Sequence, residues 1–189
     1  MRASLLILLL TLSFFSSSGV LGSENSKLFE SRLNFLSKFD VEFENKSLHF
    51  WQVGEAKRKF LFFSVYDVGY YLSGDKYDGL QHSALWIEYK RDIAVKKIHS
   101  ALTDGFKENS DASRFKVIKP KLDRLLNKID KDINAGDTLL MCRLVDDRVL
   151  FYFNKQLLLV IQGKRFSETL WSIWLGKNAV VDRVRLMNR

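Results

Sequence analysis

Residues Phe60–Gly74 read FLFFSVYDVGYYLSG. In an extended chain successive side chains alternate between two faces. One face here carries Phe60, Phe62, Tyr66, Val68, Tyr70 and Leu72; the other carries Leu61, Phe63, Val65 and Tyr71. An antiparallel strand ordinarily buries one face and wets the other. Both faces of this one therefore call for cover, helices on one side and a pocket or further packed structure on the other. At about 3.3 Å per residue, Phe60–Leu72 would reach about 43 Å. That length predicts a bend or bulge near Asp67–Gly69, where glycine relaxes the backbone.

Upstream, Leu48–Val53 reads as a strand closed by a turn at Gly54. Before it, Leu28, Phe35, Leu36 and Phe39 approximate one face of a short amphipathic helix. Downstream, after the SGDKYDG turn, SALWIEY (Ser83–Tyr89) is a strand, and Asp92 is placed to cap a helix with Val95, Ile98, Leu102 and Phe106 on one face. Ile118, Leu122, Leu125, Leu126, Ile129 and Ile133 recur at helical spacing, with Pro120 at the first turn or kinking the helix. After Ala135-Gly136-Asp137 the period changes to two. TLLMCRLV, VLFYF and QLLLVI are strands joined by tight turns at Asp146-Asp147 and Asn154-Lys155. A last helix holds Phe166, Leu170, Ile173 and Trp174 on one face, with Gly176 at its C-cap. This order describes an α+β fold with helices packed on a mostly antiparallel sheet.

The N-terminus reads as a secretory signal peptide over residues 1–22: a basic start, an apolar Leu5–Phe15 and small residues before cleavage near Gly22. Residues 23–189 then form one domain, exported to a periplasm or secreted. With one proline and 47% hydrophobic residues the chain is not disordered. Its single cysteine, Cys142, excludes an internal disulfide and packs as a small hydrophobe. The net charge of +8 is spread in clusters such as Lys57-Arg58-Lys59. In an exported protein such clusters suit solvent or an anionic membrane surface better than nucleic acid.

Catalytic motifs are missing. The chain has no Gly-x-Ser-x-Gly elbow, His-Glu-x-x-His, phosphate-binding loop or dinucleotide fingerprint. His49, His82 and His99 fall on different elements, and Asp146-Asp147 reads as a turn, so no metal or other cofactor is called for. Aromatic residues instead crowd the predicted strands. A sheet face carrying tyrosine hydroxyls beside Lys57-Arg58-Lys59 has the parts of a pocket for a long apolar acid: apolar walls for the tail, and a cation with a hydroxyl for the carboxylate. Arginine suits the head group because its planar fork matches a carboxylate in two places.

The segments GEAKRKFLFFSVYDVGYYL, WIEYKRDI, the Ala-Gly-Asp turn and IQGKRFSETLWSIWLG, in this order across Leu48–Gly176, resemble the bacterial chalcone isomerase-like family. Val-Tyr-x-x-Gly-x-Tyr and Ile-Trp-Leu-Gly are the most specific parts. The resemblance implies an open-faced β-sandwich, a large antiparallel sheet carrying a helical layer. True chalcone isomerases close a flavanone ring with a strand Arg and Thr and a helical Lys, Tyr and Asn; related proteins without that activity bind fatty acids through Arg and Tyr. Tyr66 stands where the isomerases have Thr and the fatty-acid binders Tyr. Arg58 is the nearest arginine, eight residues before it, where the family's arginine sits about a dozen before, nearer Gly54. Phe106–Ile133 holds no tyrosine, so the ring-closing hydroxyl network is incomplete.

The resemblance therefore implies a non-catalytic binder of a hydrophobic, acidic small molecule such as a fatty acid. Arg58 and Tyr66 would hold the head group, and Phe62, Tyr70 and Trp86 would serve as walls. Two alternatives stay open: a module docking a protein or the cell envelope without a small ligand, and an isomerase or lyase-type enzyme using the same cleft.

Overall fold

The computed structural model describes residues 35–73 and 81–188. The expected signal peptide, most of the expected N-terminal helix and most of the SGDKYDG turn lie outside them. Seven strands form one antiparallel sheet in sequence order: β1 (Lys38–Phe43), β2 (Lys46–Phe60), β3 (Phe63–Leu72), β4 (Ser83–Tyr89), β5 (Thr138–Arg143), β6 (Arg148–Phe153) and β7 (Gln156–Gln162). Helices α1 (Val95–Glu108) and α2 (Ala112–Leu126) are inserted between β4 and β5; α3 (Lys164–Leu175) and α4 (Arg183–Met187) follow β7. This is the expected α+β sheet with a helical layer. Among the described residues no helix is long and apolar enough to cross a membrane.

The opening stretch is not one strand. β2 runs straight through Gly54, and the chain reverses at Leu61-Phe62, with Leu61 at φ 53°. β3 then runs through Asp67–Gly69 in unbroken register, so the expected irregularity does not lie there; the register shifts leave Val53 as the extra residue of β2, at Gln52/Gly54, and Val65 as the extra residue of β3, opposite Arg58/Lys59. Gly54 serves close approach rather than a turn. A Cβ there would lie 2.6 Å from the carbonyl oxygens of both Arg185 and Leu186, so glycine is what lets α4 seat against β2. Phe39, expected on a helix, lies in β1, where it stacks on Phe50 at 5.2 Å. The β1–β2 turn has Glu44 and Asn45 at φ 51° and 59°, and the β6–β7 turn has Asn154 and Lys155 at 45° and 74°, the paired positive angles of tight hairpins.

The helical insertion also differs in detail. Asp92 does not cap α1: its carboxylate accepts from the Ala135 N–H, while Asp132 accepts from Val95 N–H at 2.9 Å. Helix α2 begins about where expected, with Asp111 accepting from the Arg114 N–H, but ends at Leu126, short of the expected Ile133, with Pro120 in its interior. Ile133 leaves the helix to exchange two backbone hydrogen bonds with Ile93. This bridge fixes residues 128–133 against the start of α1.

The sheet's two faces are covered differently. Toward the helices, Val68, Tyr70, Leu85, Ile87, Met141 and Phe151 pack with Phe106, Ile118, Leu122, Phe166, Leu170 and Trp171 in the main core. On the opposite face Phe39 meets Phe50, Tyr71 at 4.7 Å and Trp86 at 5.4 Å, and Phe35 meets Trp86 at 6.4 Å. Gly69 makes room for Phe35, whose ring would stand 3.1 Å from a Cβ at that position. The apolarity of β3 on both faces is thereby accounted for.

Candidate functional site

Between the helix-bearing face of the sheet, α1, α3 and the segment 128–133 lies a cavity of about 710 Å³. Its walls are mostly aliphatic and aromatic, with Ile87, Ile98, Leu102, Ile129, Leu139 and Phe153 among them. Exposed charged residues that also border it, including Lys97, Glu108, Lys128 and Lys131, mark its opening to solvent. The size falls in the range of about 300–1,000 Å³ typical of small-molecule sites.

One polar cluster interrupts the apolar wall. Arg58 on β2 and Tyr66 on β3 are direct cross-strand partners, which puts their Cβ atoms about 5 Å apart. Both border the cavity, as do Tyr89, Tyr66's partner on β4, and Trp174 on α3. Arg58 Nη1 donates to the Val180 carbonyl at 2.6 Å. No carboxylate pairs with this guanidinium among the described residues, and its other N–H groups remain to serve a ligand. Trp174 Nε1–H donates to the Tyr66 hydroxyl oxygen at 3.0 Å. The Tyr66 hydroxyl proton finds no protein acceptor among the described residues, so it is left to donate.

Electrostatics keep that proton in place. Burial pushes the Tyr66 hydroxyl up to about 12, more than the Trp174 hydrogen bond and the charge of Arg58 bring it down. The Tyr89 hydroxyl is raised further by burial, then by Tyr66 and Asp137. The two rings meet edge to face at 6.0 Å. At neutral pH the cluster thus presents one fixed cation and neutral hydroxyls to an apolar space, a set that complements a carboxylate and supplies no base.

The other expected wall residues lie elsewhere. Phe62 is at the β2–β3 turn, 96% exposed, because the chain reverses there instead of continuing as a strand. Tyr70 shares Tyr66's face but is packed in the filled core. Trp86 pairs with Gly69 and so points to the opposite face, against Phe35 and Phe39. Two site residues escaped the sequence reading. Trp174 was placed on a helix face without its N–H being assigned a partner, and Tyr89 counted only as a strand aromatic; alternation from Tyr66 across β4 is the signal for the latter.

The remaining candidates for chemistry are occupied structurally. His49 pairs with Asp40 at 2.8 Å, His99 Nε2 lies 2.7 Å from the Ile129 carbonyl, and His82 Nδ1 accepts from Val145 N–H at 3.3 Å. Asp146 binds Arg148, and Asp147 accepts from Arg143 and Ser167. Cys142 is fully buried, which pushes its thiol up. Trp171 and Trp174 both face the core.

A family model described as chalcone isomerase-like matches residues 37–186. The chain belongs to the chalcone isomerase-like family. Among solved structures it is similar to the crystal structure of an Arabidopsis thaliana fatty-acid binding protein, with a TM-score of 0.61 and 10% identity, over 78% of this chain and 95% of that one. At that identity the likeness establishes the shared fold. The comparison with curated proteins returned no match. The two-residue turn at Leu61-Phe62 pairs Phe60 with Phe63 and Lys59 with Ser64, and the register shift between Arg58 and Lys59 then brings Arg58 opposite Tyr66, eight residues on.

Proposed function

We propose that this is an exported, non-catalytic member of the chalcone isomerase-like family that binds a long apolar carboxylic acid, such as a fatty acid, in the cavity beside Arg58 and Tyr66. The observation carrying the proposal is the pairing of a cation that lacks a carboxylate partner among the described residues with a hydroxyl proton that lacks an acceptor among them, at the wall of a mostly apolar space whose other charged residues lie at its opening. The acid's oxygens would complete both sets, while the tail would lie along Ile87, Leu102, Ile129 and Phe153. The fatty-acid binding neighbour on the same fold supports this reading. So does the α1 portion of the cavity wall, which supplies lysine, carboxylates and aliphatic groups but no tyrosine to polarise an enone. Export rests on the signal-peptide character of residues 1–22.

The test is to extract natively purified protein and identify the lipids by mass spectrometry against a denatured control, then to titrate the stripped protein with oleate. A carboxylic acid above the control is expected. Arg58→Gln should weaken oleate by roughly ten- to a hundredfold, the loss of a charge-assisted hydrogen bond of about 1.5–3 kcal/mol. Unchanged oleate affinity in Arg58→Gln would refute the assignment. Cyclisation of a chalcone above buffer, abolished by Tyr66→Phe, would refute the non-catalytic reading.

A further inference from the structure

The β2–β3 turn places four consecutive apolar residues, Phe60, Leu61, Phe62 and Phe63, in solvent, the first three at 63%, 74% and 96% exposure. Hairpin turns ordinarily carry Gly, Asn, Asp or Pro, for conformational reasons and because the tip is wet. Here Leu61 takes φ 53°, an angle costly for a side chain of its kind, and keeps its apolar group outside. The flanks are basic. Lys57 and Lys59 are exposed on β2, and Arg91 lies over the Phe63 ring at 5.4 Å. Neighbouring acids are already engaged: Asp67 and Glu88 both pair with Lys90, at 3.4 and 2.8 Å, and Asp92 accepts from the Ala135 N–H.

We propose that this hairpin tip inserts into the surface of a bilayer containing anionic phospholipid. Phe60–Phe63 would enter the boundary between head groups and acyl chains, and Lys57, Lys59 and Arg91 would lie against the phosphates. Apolar residues at the tip and cations behind them is the order in which an anionic leaflet presents its own layers, acyl chains inside and negative charge at the surface. A protein partner is the poorer fit. A stable interface takes about 800 Å² from each side, and four residues on a protruding turn offer only a small part of that. Phe60 also borders the cavity, and Arg58 stands two residues before it. Insertion would thus bring the cavity wall next to the lipid. The docking stands without the proposed ligand; transfer of an acid between bilayer and cavity would rest on it.

The decisive experiment places a bimane fluorophore at residue 62 through Phe62→Cys in the full chain, Cys142 being buried and unreactive. Reading at residue 62 separates the tip from the apolar Leu5–Phe15, which can bind vesicles by itself. With phosphatidylglycerol–phosphatidylcholine vesicles the emission should shift to the blue and be quenched by brominated acyl chains. Pure phosphatidylcholine should give at least about tenfold weaker binding, as should added salt. Lys57→Glu with Lys59→Glu should reduce the quenching at residue 62 by a similar factor. In the full chain without the label, Leu61→Asp with Phe62→Asp should leave the circular dichroism unchanged and lower vesicle binding. Bimane emission unmoved by anionic vesicles would overturn the proposal, as would a dimer that the Asp substitutions dissociate in the absence of vesicle binding. Oleate titration in vesicle-free buffer keeps the two readings apart: the Leu61→Asp/Phe62→Asp protein should bind oleate as the parent does, and a parent that binds oleate while its tip fails to dock on anionic vesicles would refute only the docking.

Discussion

The two faces of the sheet are built from similar residues to different ends. On the face away from the helices, Phe39, Phe50, Tyr71 and Trp86 meet one another ring to ring at 4.7–6.4 Å. On the helix-bearing face, Tyr66, Tyr89, Phe153 and Trp174 border about 710 Å³ of space. Aromatic content therefore does not distinguish a site from a core. What distinguishes them is that the first set of rings fills its space by packing on itself, while the second borders a hollow that Arg58 also lines. The difference should break most visibly under truncation. Phe50→Ala, at a fully buried ring, opens a cavity in packed structure and should cost about 3–5 kcal/mol in urea unfolding. Leu102→Ala, at the hollow's wall, encloses no new void and should cost under about 2 kcal/mol. Equal costs would mean that the cavity collapses in solution.

A smaller effect comes from titration, and it singles out the hollow face. The unfolded chain loses the Tyr66 proton near pH 10, whereas burial holds it to about 12 in the folded protein. Between these values the folded state binds the extra proton, so this contribution to stability is complete below about 10 and is lost as pH rises through about 12. Two pH units correspond to roughly 2.7 kcal/mol. Tyr66→Phe removes the titration. Its stability relative to the parent should therefore rise by roughly 1 kcal/mol per unit above about pH 10. At neutral pH the same variant should be weaker than the parent by about 1–3 kcal/mol, because the Trp174 N–H loses its acceptor. Parallel stability curves for the two proteins across this range would show that Tyr66 is solvated rather than buried.

The contrast also shows where sequence reasoning reaches and where it stops. Strand alternation in SALWIEY, TLLMCRLV and VLFYF located β4, β5 and β6, because each strand's burial is set by its own neighbours. Tyr66 was legible from the Val-Tyr-x-x-Gly-x-Tyr segment. The reversal at Leu61-Phe62 was not, since FLFF has the composition of a buried strand and nothing local marks it as exposed. Gly54 was read as a turn because its actual reason, the backbone of Arg185 and Leu186, lies more than a hundred residues away. Asp132 capping α1 in place of Asp92 is the same kind of miss, a local rule outbid by a partner 37 residues off. Trp86 was assigned to a pocket wall because alternation gives two faces without saying which one is hollow, and only the register opposite Gly69 decides that.

The smallest expected effect is the sharpest version of the comparison, because one substitution is made on each face. Ala84 on β4 is fully buried on the packed face, opposite Tyr71 and Cys142; Ala101 on α1 borders the cavity. Ala84→Leu has no room for its added carbons and should destabilise by about 1–3 kcal/mol. Ala101→Leu keeps a good helix former and extends into empty space, so its effect should stay within about 0.5 kcal/mol. Its cost should appear in binding instead: the longer side chain occupies volume that the acid's tail requires, so oleate should bind less tightly while a shorter-chain acid is spared. Thermal melts and titrations with acids of graded length measure the two halves of this prediction. If Ala101→Leu destabilises as much as Ala84→Leu, the space beside α1 is closed in solution and Arg58 and Tyr66 border no cavity. If it is silent in both stability and chain-length preference, the acid's tail does not run past α1, and the segment 128–133 is the wall it follows.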